Sequence, residues 1–449
     1  MDLRARIDAA PMSPYQWLIV GLCVVLNMLD GYDVMALAFT AKSIGNEFGL
    51  SSAQTGVLLS AGLVGMAIGA LVLAPLADKL GRRPLILSAV AMATAGMALS
   101  ATAGSPVQLG VWRVLTGLGV GGILACTNVI ASEYSSKRWR GLSIGLYTSG
   151  YGLGATLGGL AAVFLRDEYG WRAVFVCGAV LTGLALVLLA VLLPESVDYL
   201  LTRGRRDVLG RVNRIARRIR QEPLRELPVV PASGPPRAGR VADLFAGGNT
   251  RPTVLLWTAF FATMFGYYFI NSWTPALLET AGMSKDQSAT AGMMIALGGT
   301  LGSVIFGGLA TRWTARGVLL IFTVLTAAAM VVFISSTSII GVAFALGVVV
   351  GGLANGCIAG LYTLSPSLYE TRMRSTGVGW AIGVGRAGAI LAPTAAGRLL
   401  DAGWSAGQLY VAVAGVVLLA AVALLFLRSP KRRGPVLDVT PAVAAPVNS

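Results

Sequence analysis

The sequence predicts an all-α membrane protein of twelve transmembrane helices in two pseudo-symmetric six-helix bundles, and three observations carry that prediction. Apolar residues make up 55% of the 449-residue chain against 12% charged ones, and the mean hydropathy is +0.73, far outside soluble globular usage. The apolar residues come in continuous runs of roughly 20 rather than alternating every second position, which favours spanning helices over a β-barrel. The 57 glycines fit, because small residues let transmembrane helices approach closely.

The first apolar window, 17–39, is interrupted by the aspartates of "MLDGYDV". With Arg4 and Arg6 ahead of it and "ALA" at 36–38 it imitates a secretory signal, but the aspartates and the many later spans argue for a retained helix. Windows follow at 54–77, 84–103, 107–133, 141–165 and 171–193, and again at 253–278, 288–311, 317–336, 340–368, 375–400 and 404–427. The connectors alternate in charge: "DKLGRR", "SSKRWR", the Arg-rich 203–220, "RWTAR" and "ETRMR" are basic, whereas "AGSPVQ", "STS" and "DAGWSAG" lack Lys and Arg. The positive-inside rule then places both termini and the central loop in the cytoplasm. The organisation expected is a cytoplasmic N-terminus (1–16), a six-helix bundle (17–193), a central loop (194–250), a second bundle (251–428) and a disordered cytoplasmic tail (429–449).

Within the central loop, Val208, Val212, Ile215 and Ile219 recur at helical spacing among arginines, predicting a basic amphipathic helix on the inner leaflet, followed by the Pro-rich linker "VVPASGPPRAG". The formal charge of +15 points to anionic lipid rather than nucleic acid, because Lys and Arg sit between apolar runs and form no soluble basic face. Cys23, Cys126, Cys177 and Cys357 lie singly in apolar segments, without metal or redox spacing, so no disulfide or metal site is expected. "GLGVGG" has a dinucleotide-like spacing only because its span is Gly-rich; no Walker lysine pattern accompanies it, and a chain without histidine has no Ser/His/Asp set. Neither enzymatic activity nor a cofactor is expected, and transport would draw on an ion gradient.

The halves echo each other, "EYSSKRWRG" after the fourth span answering "YETRMRSTG" after the tenth. Repeated six-helix halves around a central cavity are a transporter design. "APLADKLGRRPLIL" at 74–87 and "LPESVDYLL" after the sixth span resemble the major facilitator superfamily. "LDGYD", "WRVLTGLGVGGILACTNVIASEY", "NSWTPALL" and "GVGRAGAILAP" resemble its aromatic acid:proton symporters, over essentially all of 15–428. One departure is Thr311, where the family usually has Asp before Arg312. The resemblance implies a bacterial inner-membrane carrier, a functional role for both carboxylates of "LDGYD", and a cytoplasmic gate of Asp78, Arg82, Glu133 and Arg140 that locks the halves when the protein opens outward.

The residues themselves add candidate roles. Asp30 and Asp33 lie about 60° apart on one helix face, roughly two thirds of the way across. A bare carboxylate there costs about 3 kcal/mol or more, so it must be protonated, paired or wet. Arg113, six residues into the fourth span, reaches the same depth; the trio reads as a proton-coupling site, with a fixed structural ion bridge as the alternative. Arg386 stands without a carboxylate in its own span and calls for a negative partner, either a substrate carboxylate or else a protein acid or a helix C-terminus. Tyr267, Asn271 and Trp273 of the aromatic seventh span offer stacking and hydrogen bonds to an aromatic ring, with Tyr32, Asn128, Tyr147 and Tyr151 as further candidates; lipid-facing aromatics are the competing reading.

Together these readings predict a monomeric carrier that imports a small aromatic carboxylate with protons by alternating access. An exporter or antiporter on the same fold, or a non-transporting receptor signalling through the central loop, are the other readings.

Overall fold

A computed structural model of the chain describes residues 3–202, 208–226, 241–245, 249–369 and 374–427. Its helices are α1 (Leu3–Ala9), α2 (Pro14–Phe48), α3 (Ser52–Leu80), α4 (Arg82–Ala101), α5 (Pro106–Glu133), α6 (Arg140–Tyr169), α7 (Trp171–Leu192), α8 (Val197–Thr202), α9 (Val208–Arg218), α10 (Thr250–Thr280), α11 (Lys285–Arg312), α12 (Ala315–Ser335), α13 (Ile340–Leu364), α14 (Arg374–Asp401) and α15 (Ala406–Phe426). Eleven of them are long and apolar enough to cross a membrane. The twelfth expected span is α14, whose 28 residues include Arg374, Arg386, Arg398 and Asp401. The tail 429–449 and the Pro-rich linker lie outside the described residues.

Local sequence sets where these helices begin. Ser13, Ser51, Ser284 and Ser405 each form a capping box with the Gln three positions on, satisfying orphan N–H groups at the starts of α2, α3, α11 and α15. Gly81, at φ +106°, turns the chain between α3 and α4, where the Glu195 carboxylate leaves no room for a Cβ. α2 runs 35 residues, past its apolar window to Phe48, because Thr40 to Glu47 remain helical beyond the apolar stretch.

The packing pattern occurs twice. In the first half α2 lies on α6, α3 on α5, and α4 on α5 and α7; in the second half α10 lies on α14, α11 on α13, and α12 on α13 and α15. The halves join through two matching crossed pairs, α3 with α14 and α6 with α11, plus α2 with α10.

These joints occupy only one end. Ser60 Oγ of α3 donates to the Ile390 carbonyl of α14 at 2.7 Å, and the same hydroxyl lies 2.9 Å from that of Thr394. Gly152 and Gly159 of α6 press against Thr300 and Met293 of α11. All lie between the middle of the helices and the end opposite the chain termini. Seven or eleven residues further toward the termini, a helix returns to within about 20° of the same azimuth. There the stripes are open: Leu71, eleven residues beyond Ser60, is 76% exposed. A Cβ at Gly145, Gly307, Gly379 or Gly383 would meet nothing within 4 Å. Among the described residues, the two halves therefore leave a cleft that is closed at the far end and open at the end carrying the termini.

The underside of the first half is covered, which corrects the expectation for the amphipathic helix. The apolar face of α9 is not presented to lipid: Val208, Val212, Ile215 and Ile219 are buried in the core that includes Val197, Leu200 and Leu201. Arg211, Arg214, Arg217 and Arg218 remain exposed. The N-terminus is likewise structured, with Leu3 and Ile7 of α1 buried, Arg4 donating to the Glu133 carbonyl, and Asp8 paired with Arg140.

Candidate functional site

The two aspartates of α2 have different surroundings. Asp33 is gripped by Arg113 of α5 through two parallel bonds, Nη1 to Oδ1 at 2.6 Å and Nη2 to Oδ2 at 2.7 Å. The pair is buried, with Met97 Sδ at 3.7 Å and the Phe175 ring centroid 5.7 Å from the guanidinium carbon. Low dielectric and fork geometry make this a strong contact whose disruption strands a buried charge. Asp30 is as buried, but its Oδ1 has no hydrogen-bond partner among the described residues. Of the expected trio, Arg113 bonds Asp33 alone, and Asp30 shares a small cavity with Asp33 without a bond to the guanidinium.

Asp30 lines a small first-half cavity with Asp33, Met97 and Thr116, and the second half reaches it electrostatically. The Asp30 charge is felt by Arg386 of α14 and by the hydroxyls of Tyr147, Tyr151, Tyr267 and Tyr268. Arg386 Nη1 donates to Tyr268 Oη at 3.0 Å, so the guanidinium expected to stand alone has a neutral partner and a carboxylate within electrostatic reach. Tyr147 is tied in place by a 3.0 Å hydroxyl contact with Thr127 and by Asn27 Nδ2, which donates to its carbonyl at 2.7 Å. Tyr151, whose buried hydroxyl faces that of Tyr267, lines a small cavity shared with Tyr267 and Asn271 of α10 and Asn355 of α13. Asn271 Nδ2 donates to the Tyr267 carbonyl at 2.8 Å, and Asn355 Nδ2 to the Gly299 carbonyl at 2.6 Å.

Other candidates lie elsewhere. Tyr32 turns into the first half, donating to the Val174 carbonyl of α7 at 2.8 Å beside Gly178. Trp273 Nε1 donates to the Pro393 carbonyl at 3.0 Å and sits nearer the far end, on the wall of a cavity of about 170 Å³ that also holds Lys42 and Thr55. Asn128 is exposed on α5. Arg82 pairs with Glu133, whose other oxygen accepts from Ser196 Oγ at 2.6 Å. Arg140 pairs with Asp8 and donates to the Ser132 carbonyl at 3.2 Å. These contacts stay within the first half. The side chain of Asp78 lies outside the described residues.

Sequence reasoning missed Tyr268, which holds Arg386, and Glu195, whose Oε1 accepts from the backbone N–H groups of Arg82 and Arg83 at 2.8 and 3.1 Å. It also missed the far-end locks. Glu279 of α10 sits between Lys42 at 3.1 Å and Arg166 at 3.6 Å, and the Asp401 carboxylate at the end of α14 accepts from the N–H groups of Ser52 and Ala53 at 2.8 and 2.9 Å. Acidic residues just outside apolar windows were the available signal.

Comparison with known proteins agrees with this architecture. A model of the Major Facilitator Superfamily matches residues 23–346 and 256–447. The chain is 33% identical to the 4-hydroxybenzoate transporter PcaK of Pseudomonas aeruginosa over 95% of each chain. It is 32% identical to the gallate transporter of Pseudomonas putida over 99% of this chain and 98% of that one. Among solved structures, the inward-open xylose transporter XylE of E. coli superposes with a TM-score of 0.74 at 16% identity, covering 93% of this chain and 98% of that one.

Proposed function

The chain belongs to the major facilitator superfamily, alongside transporters named for aromatic acids, and from that premise we propose that it imports an aromatic carboxylate with protons across the bacterial inner membrane by alternating access. One observation carries the reading: inside the spans, the buried Asp30 of the first half has no hydrogen-bond partner at Oδ1 among the described residues, while Arg386 of the second half donates to the neutral hydroxyl of Tyr268. The basic connectors cluster at the cleft's open end, which supports a cytoplasmic orientation for that end and an inward-open state.

In this reading the substrate carboxylate takes Arg386 by charge-assisted bonds, while Tyr151, Tyr267 and Asn271 flank its ring. A bound anion neutralises the guanidinium that Asp30 otherwise faces. Asp30, whose Oδ1 has no hydrogen-bond partner among the described residues, then takes a proton, so substrate and proton bind together. Asp33 and Arg113 hold α2 against α5 throughout. Arg82, Glu133 and Arg140, paired within the first half here, supply the gate that meets the second half when the cytoplasmic end closes.

The test is uptake by proteoliposomes of benzoate, 4-hydroxybenzoate, protocatechuate, gentisate and 3-hydroxyphenylpropionate under an inward proton gradient. One acid should accumulate, only with the gradient, and Arg386→Ala should abolish its uptake. Accumulation without a gradient, or efflux in place of uptake, overturns the symport reading in favour of a facilitator or an exporter.

A further inference from the structure

A second cavity lies on the terminus-bearing underside of the first half, remote from Asp30 and Arg386. It measures about 460 Å³ and is bounded by α9, the start of α4 and the end of α7. Four guanidinium groups line it: Arg83 from α4 and Arg211, Arg214 and Arg218 from α9. The last three recur at i, i+3 and i+7, which places them on one side of the helix. Burial of Val212 and Ile215 against the core holds that side toward the cavity.

These cations are poorly compensated. Arg218 donates to Tyr15 Oη at 3.1 Å, and Arg83 spends one nitrogen on the Ala190 carbonyl at 2.6 Å while its buried Nε has no partner among the described residues. Arg211 and Arg214 have no hydrogen-bond or ion-pair partner among the described residues. Among the described residues the lining has one carboxylate, Glu195, and it is engaged by the N–H groups of Arg82, Arg83 and Ser196. Converging guanidinium groups without counter-ions favour a phosphate anion, which each can meet through paired N–H donors.

The remaining wall identifies what carries the phosphate. Val191, at the cavity's rim, continues an exposed apolar stripe up α7 through Val187, Leu184 and Val180. That stripe is where a membrane-spanning helix faces acyl chains. We propose that this cavity is a binding site for an anionic phospholipid of the leaflet on the terminus-bearing side, its phosphate held by Arg83, Arg211, Arg214 and Arg218 and its acyl chain lying along α7. Bound there, the lipid bridges α9 to the first bundle and anchors the central loop at the membrane surface.

Native mass spectrometry of the full-length, delipidated protein in detergent tests the assignment, titrating phosphatidylglycerol, phosphatidylcholine and inorganic phosphate against wild type, Arg211→Gln/Arg214→Gln and Arg211→Lys/Arg214→Lys. Phosphatidylglycerol should bind wild type at least tenfold more tightly than phosphatidylcholine. The Gln pair should weaken it roughly thirtyfold, and the Lys pair, which keeps the charge but not the paired donors, should fall between the Gln pair and wild type. A folded charge-state envelope for both variants separates loss of the site from loss of the fold. Equal binding of the two lipids, or unchanged binding to the Gln pair, overturns the proposal. Displacement of phosphatidylglycerol by millimolar inorganic phosphate overturns the lipid assignment and leaves a free-phosphate site.

Discussion

Asp33 and Asp30 share a helix face, a depth and near-complete burial, yet their neighbours give them different work. Removing the Asp33 charge strands Arg113 in a low-dielectric interior, which costs about 3–5 kcal/mol in typical buried pairs. Asp33→Asn should therefore lower the thermal midpoint of the purified protein markedly, and Asp33→Asn/Arg113→Gln should recover part of the loss. Asp30→Asn removes no described hydrogen bond at Oδ1, so its midpoint should stay within about a degree or two of wild type while gradient-driven accumulation disappears. If Asp30→Asn still concentrates substrate against a gradient, the coupling role fails. Tyr268→Phe, which takes one hydroxyl from Arg386, should raise KM about fivefold in the same uptake assay, the worth of roughly 1 kcal/mol for one hydrogen bond. Sequence reading found both aspartates and both arginines because ionisable groups inside apolar windows are conspicuous. It missed Tyr268 because Tyr267 and Tyr268 are adjacent, 100° apart on a helix, and nothing local says which one reaches across to another helix.

At the scale of elements, α3 and α14 show one end gripping another. The Asp401 carboxylate supplies acceptors to the first N–H groups of α3, where helix-end donors otherwise lack partners. The Ala53 N–H, then the Ser51 hydroxyl and the Ser52 N–H, hold its carboxyl below the usual aspartate range. A lowered value means the grip is fully present above the ordinary aspartate pKa and is lost as pH falls through the lowered one. Far-end closure should thus persist at the mildly acidic pH outside a respiring cell and loosen only in stronger acid. Glu279→Gln removes the charge that draws Lys42 and Arg166 together, at a cost of roughly 1.5 kcal/mol, about tenfold in the closed-to-open ratio. Spin-label distances between the far ends of α2 and α10 should show a longer, newly populated component in that variant; an unchanged distribution removes Glu279 from the lock. Element boundaries were legible to within a few residues at the Ser-x-x-Gln caps. The surface that α9 covers was not, because an apolar face reads the same whether lipid or protein buries it.

Across the whole molecule, the repeated packing of α2–α7 and α10–α15 gives two bundles whose crossed contacts, α3 with α14 and α6 with α11, are made from the middle of the helices to the far end. Twelve spans and two halves follow from hydropathy and loop charge, since those signals are local. Which end is closed does not, because the same stripes of small residues serve either closure and only three-dimensional placement shows which is engaged. Rocking one bundle on the other about the central cluster would separate Ser60 from Thr394 and bring Gly145 of α6 toward Gly307 of α11, now open to the cleft. With Cys177 replaced and single cysteines placed at Gly145, Gly307 or Gly383, a membrane-impermeant maleimide should label all three from the terminus-bearing face of the membrane and none from the other. A double variant with cysteines at Gly145 and Gly307 should resist a short bifunctional maleimide in the resting protein. It should cross-link once substrate and an inward proton gradient drive the cycle, and transport should then stop. Cross-linking at rest, or labelling from the far face, would mean that the cleft opens the other way.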